Sequence, residues 1–313
     1  MQIVLLDTNK LPKKMAKMIA DKFSKYGEYT SYESTTLDNI VKHAYTAEVI
    51  LTNKSELTAA HFKLLPNLKY VIVVATGYDC VDTVAAAKLN IPISNIPAYC
   101  SEIVSQHTIA LLLELTNRVG ESSYLVKQER KWLGLKRHNV ELAGLTIGVV
   151  GFGDIAHRVI MVALAFGMHV LVHSRKLSYI TDLPVKFVSK EELFRRSDVI
   201  TLHCPCTEET RYIINSDSLG MMKPTAILIN TSRGQLINEA DLFSALSNRQ
   251  IRGAALDVLE TEPPQTDNPL FGLDNCVITP HSAWLSDNAL KNWLEIMHDN
   301  FLAYQEGKLI NLV

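Results

Sequence analysis

The chain has 313 residues, of which 47% are hydrophobic and 20% charged, with a formal net charge of −2. That length exceeds what one hydrophobic core usually organises, so two domains are expected. The near-neutral balance, without a basic run or an acidic tail, excludes nucleic acid and anionic membrane surfaces as main partners.

Apolar, β-branched runs at 3–6, 49–51, 70–75 and 91–96 read as buried parallel strands. Helical spacing of apolar residues lies between them at 12–26, 58–65 and 81–89. A long apolar helix is predicted over 101–127; its densest run, 109–113, ends at Glu114 and is too short to cross a bilayer. After the polar stretch 128–141 come further strands at 145–150, 169–173, 199–203, 226–230, 253–257 and 277–279, then a last helix over 287–306. Strand–helix alternation of this kind implies α/β architecture with parallel sheets. A cut in the polar stretch would give two sequential domains. The division preferred here is 1–98 plus 286–313 around 99–285, because the last helix can return to the first domain. The chain then crosses twice, near Tyr99 and Trp284, and leaves a cleft between domains.

The N-terminal MQIVLLDTNK lacks the basic start and long apolar core of a signal peptide. Five scattered cysteines argue against a disulfide framework, so the expected location is cytoplasmic. Cys204 and Cys206 flank Pro205, but no second ligand pair follows and no metal site is expected.

The segment TIGVVGFGDIA (146–156) ends a strand in Gly151, Gly153 and Ala156 and opens a helix carrying Val159, Ile160 and Val162. This is the dinucleotide pattern G-x-G-x-x-G/A in its required setting. Gly151 permits the tight turn, Gly153 lets backbone approach a pyrophosphate, and Ala156 keeps helix and strand close. Amides at the helix start attract the phosphates. The strand HVLVH (169–173) should end beside the adenosine ribose, where a carboxylate usually holds the 2′-hydroxyl of NAD. Here Ser174, Arg175 and Lys176 follow, a missing acid plus two cations, which suits the 2′-phosphate of NADP(H); NAD(H) is the alternative.

Three more strand ends carry chemistry: Arg233 in INTSRG, Glu262 in LDVLETEPP and His281 in ITPHSAW. Hydride transfer to a keto carbon leaves an alkoxide that needs a proton, which a protonated histidine supplies near neutral pH. A nearby carboxylate favours the imidazolium and orients the ring. A guanidinium grips a substrate carboxylate through two hydrogen bonds.

With these residues in order, the sequence resembles the D-isomer-specific 2-hydroxyacid dehydrogenases, particularly glycerate dehydrogenases and hydroxypyruvate/glyoxylate reductases. The resemblance runs through ATGYDCVD (75–82), PAYCSEIVSQHTIALLLEL (97–115), ELAGLTIGVVGFGDIA (141–156), LHCPCTEETR (202–211), INTSRGQLINEADL (229–242), ALDVLETEPP (255–264) and NPLFGLDNCVITPHSAW (268–284). It implies two Rossmann-like or flavodoxin-like domains, and a catalytic set at Arg233, Glu262 and His281. It implies a substrate carboxylate held at the backbone of Thr76 and Gly77, with Arg233 and His281 also touching substrate. It further implies cofactor contacts at Thr108, Asp154, Ile155, Cys204, Thr231 and Asp257, the last near the nicotinamide carboxamide. A homodimer with the helix near 101–127 packed on its partner follows as well. The sequence departs from the pattern at Ala156, at Ser174, and over 132–141, where glycerate dehydrogenases carry an aromatic-rich stretch. The substrate therefore stays open among hydroxypyruvate, glyoxylate and other 2-keto acids. The competing reading is a non-catalytic dinucleotide-binding regulator on the same fold.

Overall fold

Residues Ile3, Val4 and Leu5 of the first strand, β1 (Gln2–Leu5), are buried on both faces, as parallel sheets require. In the computed structural model, which describes residues 1–132, 138–175 and 182–313, β1 belongs to a unit made of Met1–Cys100 and Leu285–Val313. In chain order α1 (Lys13–Phe23), β2 (Glu28–Ser31), α2 (Ile40–Ala44), β3 (Val49–Thr52), α3 (Ala59–Lys63), β4 (Tyr70–Val73), α4 (Thr83–Lys88) and β5 (Ile93–Ser94) follow. The strands form a parallel sheet in the order β2-β1-β3-β4-β5. The C-terminal helix Asp287–Gln305 completes this unit. Its Trp293 and Phe301 are buried; the Trp293 indole donates to the Val74 carbonyl at 2.7 Å, and Phe301 meets Phe23 of α1 edge-on at 5.2 Å.

The second unit, Ser101–Trp284, is one continuous stretch. It begins with α5 (Ser101–Asn117) and α6 (Val119–Lys127), two helices where the apolar pattern predicts one. Arg118 breaks the run in the left-handed region, φ 49°, and the Glu114 carboxylate accepts the Gly120 amide at 3.0 Å. A freshly started helix needs such acceptors for its first amides, and Glu114 supplies one.

The unit continues with β6 (Thr146–Val150), α7 (Asp154–Ala165), β7 (His169–His173), β8 (Val185–Phe187), α8 (Lys190–Arg196), β9 (Val199–Leu202), α9 (Ser216–Met221), β10 (Ile227–Asn230), α10 (Glu239–Ser247), β11 (Gly253–Leu256) and β12 (Cys276–Ile278). Its parallel sheet has the order β12-β11-β10-β9-β6-β7-β8. The chain starts in the middle at β6, winds out to β8, then returns to β9 on the other side. That reversal between β6 and β9 is the topological switch point, where open α/β sheets bind ligands. On α7 the buried face is Ala156, Val159, Ile160 and Ala163, while Val162 points to solvent, so Ala163 completes the stripe rather than Val162. Among the described residues no helix is long and apolar enough to cross a membrane.

Candidate active site

Strand register lines up the second unit's functional segments. Val150 pairs with His173 on one side and with Leu202 on the other; Leu202 pairs with Asn230, Asn230 with Leu256, and Leu256 with Ile278. These residues form one row across the carboxyl edge of the sheet. The loop leaving each carries a residue singled out from sequence: Ser174 and Arg175, Gly151 and Gly153, Cys204, Thr231 and Arg233, Asp257 and Glu262, and His281. Lys176 lies outside the described residues.

At the switch point Gly151 has φ 100°, and a Cβ there would lie 2.3 Å from the His203 carbonyl oxygen. Only glycine satisfies both the left-handed turn and the close approach to the loop after β9. A Cβ on Gly153 would meet nothing within 4 Å, so the backbone is open on that side. Gly153 caps α7, whose first turn includes Asp154 and Ile155, with Ala156 fully buried behind them. An open glycine backbone at the start of a helix is the cradle a pyrophosphate needs. Thr108 of α5 reaches the same edge, its hydroxyl 3.0 Å from that of Thr231.

The catalytic candidates are fixed by their own loops. Asn230, fully buried at the end of β10, accepts the Ser232 amide at 3.0 Å and donates to the Arg233 carbonyl at 2.8 Å. This staple bends the chain around Arg233, whose Nη1 donates to the Ser232 carbonyl at 2.8 Å. Glu262 uses both carboxylate oxygens. Oε1 accepts the Leu259 amide at 3.1 Å, and Oε2 lies 2.6 Å from Nδ1 of His281. His281 occupies the left-handed region at φ 52°, a conformation that persists only when surroundings over-determine it. Its amide donates to the Asp257 carbonyl at 2.7 Å, and its carbonyl accepts the Trp284 indole at 3.0 Å. Asp257 is 1% exposed, and its carboxylate holds the Ser282 and Ala283 amides at 3.0 and 2.9 Å.

The chain has clear relatives among known proteins. A model of the D-isomer specific 2-hydroxyacid dehydrogenase NAD-binding domain matches residues 109–283. The chain is 36% identical over 296 residues to a hydroxypyruvate reductase of Blautia hydrogenotrophica, covering 92% of each. The chain belongs to the D-isomer-specific 2-hydroxyacid dehydrogenases. Among solved structures, an acyclic imino acid reductase in complex with NADPH and D-Arg is 30% identical with a TM-score of 0.91, covering 100% of both chains. D-lactate dehydrogenase from Aquifex aeolicus, complexed with NAD and lactic acid, is 30% identical with a TM-score of 0.87, covering 98% of this chain and 96% of that one. This D-2-hydroxyacid dehydrogenase is thus a nicotinamide-dependent oxidoreductase acting on CH–OH donors.

Several residues of the dehydrogenase escape a reading by type and spacing. Gly234 is one: a Cβ there would lie 1.9 Å from the Leu259 carbonyl oxygen, so the turn of Arg233 presses on the loop of Glu262. Asn230 and Trp284 are others, since their roles depend on hydrogen bonds that no motif announces. Cys204 sits beside Gly151, and burial pushes its thiol up to about 12, so it stays protonated and unreactive. Thr76 and Gly77 belong to the first unit, in the loop after β4. There the Thr76 hydroxyl donates to the Ile96 carbonyl at 2.8 Å, and its carbonyl accepts from Asn95 at 2.6 Å.

Proposed function

We propose that this dehydrogenase reduces hydroxypyruvate or glyoxylate to D-glycerate or glycolate, with His281 as proton donor, Glu262 as its orienting carboxylate and Arg233 as the substrate clamp. The observation that carries the reading is the 2.6 Å contact between His281 Nδ1 and Glu262 Oε2, made by two loops that leave adjacent strands in register. The bound reduced dinucleotide supplies the hydride. Arg233 grips the substrate carboxylate and polarises the keto oxygen, and the backbone of Thr76 and Gly77 donates to that carboxylate. With Nδ1 engaged by Glu262, His281 delivers the proton from Nε2. The carbonyl π pair becomes an O–H bond as hydride reaches carbon, and imidazolium becomes imidazole. The reductase from Blautia hydrogenotrophica supports this substrate class.

NADPH is proposed as the preferred donor, held around Gly151, Gly153, Asp154, Ile155, Thr108, Cys204, Thr231 and Asp257. Ser174 and Arg175 follow β7 without a carboxylate, and the imino acid reductase binds NADPH. Residues 1–98 plus 286–313 are proposed as the substrate domain and 99–285 as the dinucleotide domain. A homodimer is proposed from the apolar side chains exposed on α6 and α7, Val119, Tyr124 and Met161, and light scattering tests it; a cytoplasmic location is proposed from the five scattered cysteines, which argue against a disulfide framework.

The experiment is nicotinamide absorbance over a panel of 2-keto acids with NADH and NADPH. Rapid NADPH oxidation with hydroxypyruvate or glyoxylate supports the reading. His281→Gln should cost roughly 100-fold or more in kcat, and unchanged turnover would remove the proton donor. Ser174→Asp should shift preference toward NADH; no shift would remove the basis for NADPH.

A further inference from the structure

One polar side chain near the catalytic loops has no part in the steps above. His107 lies on α5, with its side chain 23% exposed. Its Nε2 is 3.1 Å from the Thr279 hydroxyl and 3.6 Å from Asp257 Oδ1. The Thr279 hydroxyl has a single hydrogen, and at 2.6 Å that hydrogen goes to Asp257 Oδ1, because an ionised carboxylate only accepts. The Thr279 oxygen can then only accept from His107, so Nε2 of the ring carries a proton. A directed chain results: His107 donates to Thr279, Thr279 to Asp257. Asp257 holds the turn of His281 from the other side, through the amides of Ser282 and Ala283 and through its own carbonyl. Among the described residues, His107 is the ionisable base within ion-pair distance of this buried carboxylate.

We infer that His107 is a positioning residue for proton transfer by His281, acting through Thr279 and Asp257. The inference rests on the reading of His281 as proton donor. Asp257 has two carboxylate oxygens and three donors to satisfy, Thr279, Ser282 and Ala283. The Ser282 and Ala283 amides hold it from one side and the Thr279 hydroxyl from the other. Without His107 the Thr279 hydroxyl keeps its bond to Asp257 but loses the donor that holds its oxygen in place, and the anchor of the left-handed His281 backbone loosens. The substrate clamp and dinucleotide loop do not hang from this chain, so the loss belongs to kcat.

The test uses full-length wild type, His107→Phe, His107→Gln, Thr279→Val, the double variant His107→Phe/Thr279→Val, and His281→Gln as reference. Gln keeps a side-chain N–H donor, while Phe keeps the ring and removes it. Expected results are a kcat lowered roughly 10-fold in His107→Phe, an effect of misplacement rather than loss of the acid. KM for the keto acid should stay within about 2-fold, with His107→Gln near wild type. The double variant should be no slower than Thr279→Val alone, because the two residues act in one chain. Wild-type kcat in His107→Phe, equal losses in the Phe and Gln variants, or losses that multiply in the double variant would each overturn the inference. If His281→Gln is inactive while His107→Phe is unimpaired, this inference alone fails. If His281→Gln retains turnover, the underlying reading fails with it.

Discussion

A methyl group at position 234 would collide with the backbone of the loop that carries Glu262. Gly234→Ala should therefore destabilise the second unit by about 1–3 kcal/mol, the usual cost of overpacking. It should also lower kcat, because the turns of Arg233 and Glu262 are pushed apart; urea melts and steady-state rates check both, and an unchanged melt would contradict the contact. His203 makes a prediction of another kind. Its Nε2 lies 2.9 Å from the Thr201 hydroxyl, its Nδ1 is sealed from solvent without a partner among the described residues, and burial pushes its pKa from 6.5 down to about 3. The folded chain keeps this ring neutral while the unfolded chain binds a proton below 6.5. Stability contributed here is lost as pH falls from about 6.5 toward about 3, by at most about 1.4 kcal/mol per pH unit. Denaturant titrations at pH 7 and 5 should show a smaller pH dependence in His203→Phe than in wild type. At this scale the types of Arg233, Glu262 and His281 were legible, because each lies a few residues beyond an apolar run that reads as a strand. Gly234 and Thr279 were not, since each meets atoms of a partner loop, nor was Asn230, whose bonds to Ser232 and Arg233 no motif announces.

At the scale of elements, the buried strands were legible as continuous apolar runs, while β2 and β8 were not. Both are edge strands of three or four residues, EYTS and VKF, paired on one side and half-exposed, so they show no apolar run. The break between α5 and α6 was hidden for a different reason. Hydrophobic spacing runs through Arg118, and the stop comes from local chemistry: a left-handed residue, and a carboxylate four positions before it that turns back to cap the next helix. Glu114→Ala should cost about 1 kcal/mol, the usual price of a lost cap. The loss should appear as faster amide exchange at Gly120 and Glu121; unchanged exchange there would argue against the capping role.

For the whole molecule, the two units differ in how the chain builds them. The second is one stretch, Ser101–Trp284, with its own sheet and core. The first needs both ends: besides the indole bond to Val74, Asn300 donates to the Asn95 carbonyl at 2.7 Å, and the Ser94 hydroxyl donates to the Ile310 carbonyl at 2.6 Å. A fragment of residues 101–284 should fold alone and bind NADPH without turning over keto acid, whereas residues 1–100 alone should not fold. Circular dichroism and fluorescence titration check this; a cooperatively folded 1–100 fragment would show the C-terminal helix to be dispensable. The alternation of strands and helices made two α/β domains legible, and the position of the last helix beyond His281 suggested the return.

That return fixes an order of events on the ribosome. The first hundred residues emerge early, yet the indole of Trp293 and the amide of Asn300, which close their core, are made after the whole 184-residue stretch from Ser101 to Trp284. At cellular rates of synthesis, roughly 5–20 residues per second, the nascent sheet of β1 to β5 waits on the order of 10–40 s with its flank bare. Meanwhile the later-born dinucleotide unit can finish. The oldest part of the polypeptide is thus the last to mature.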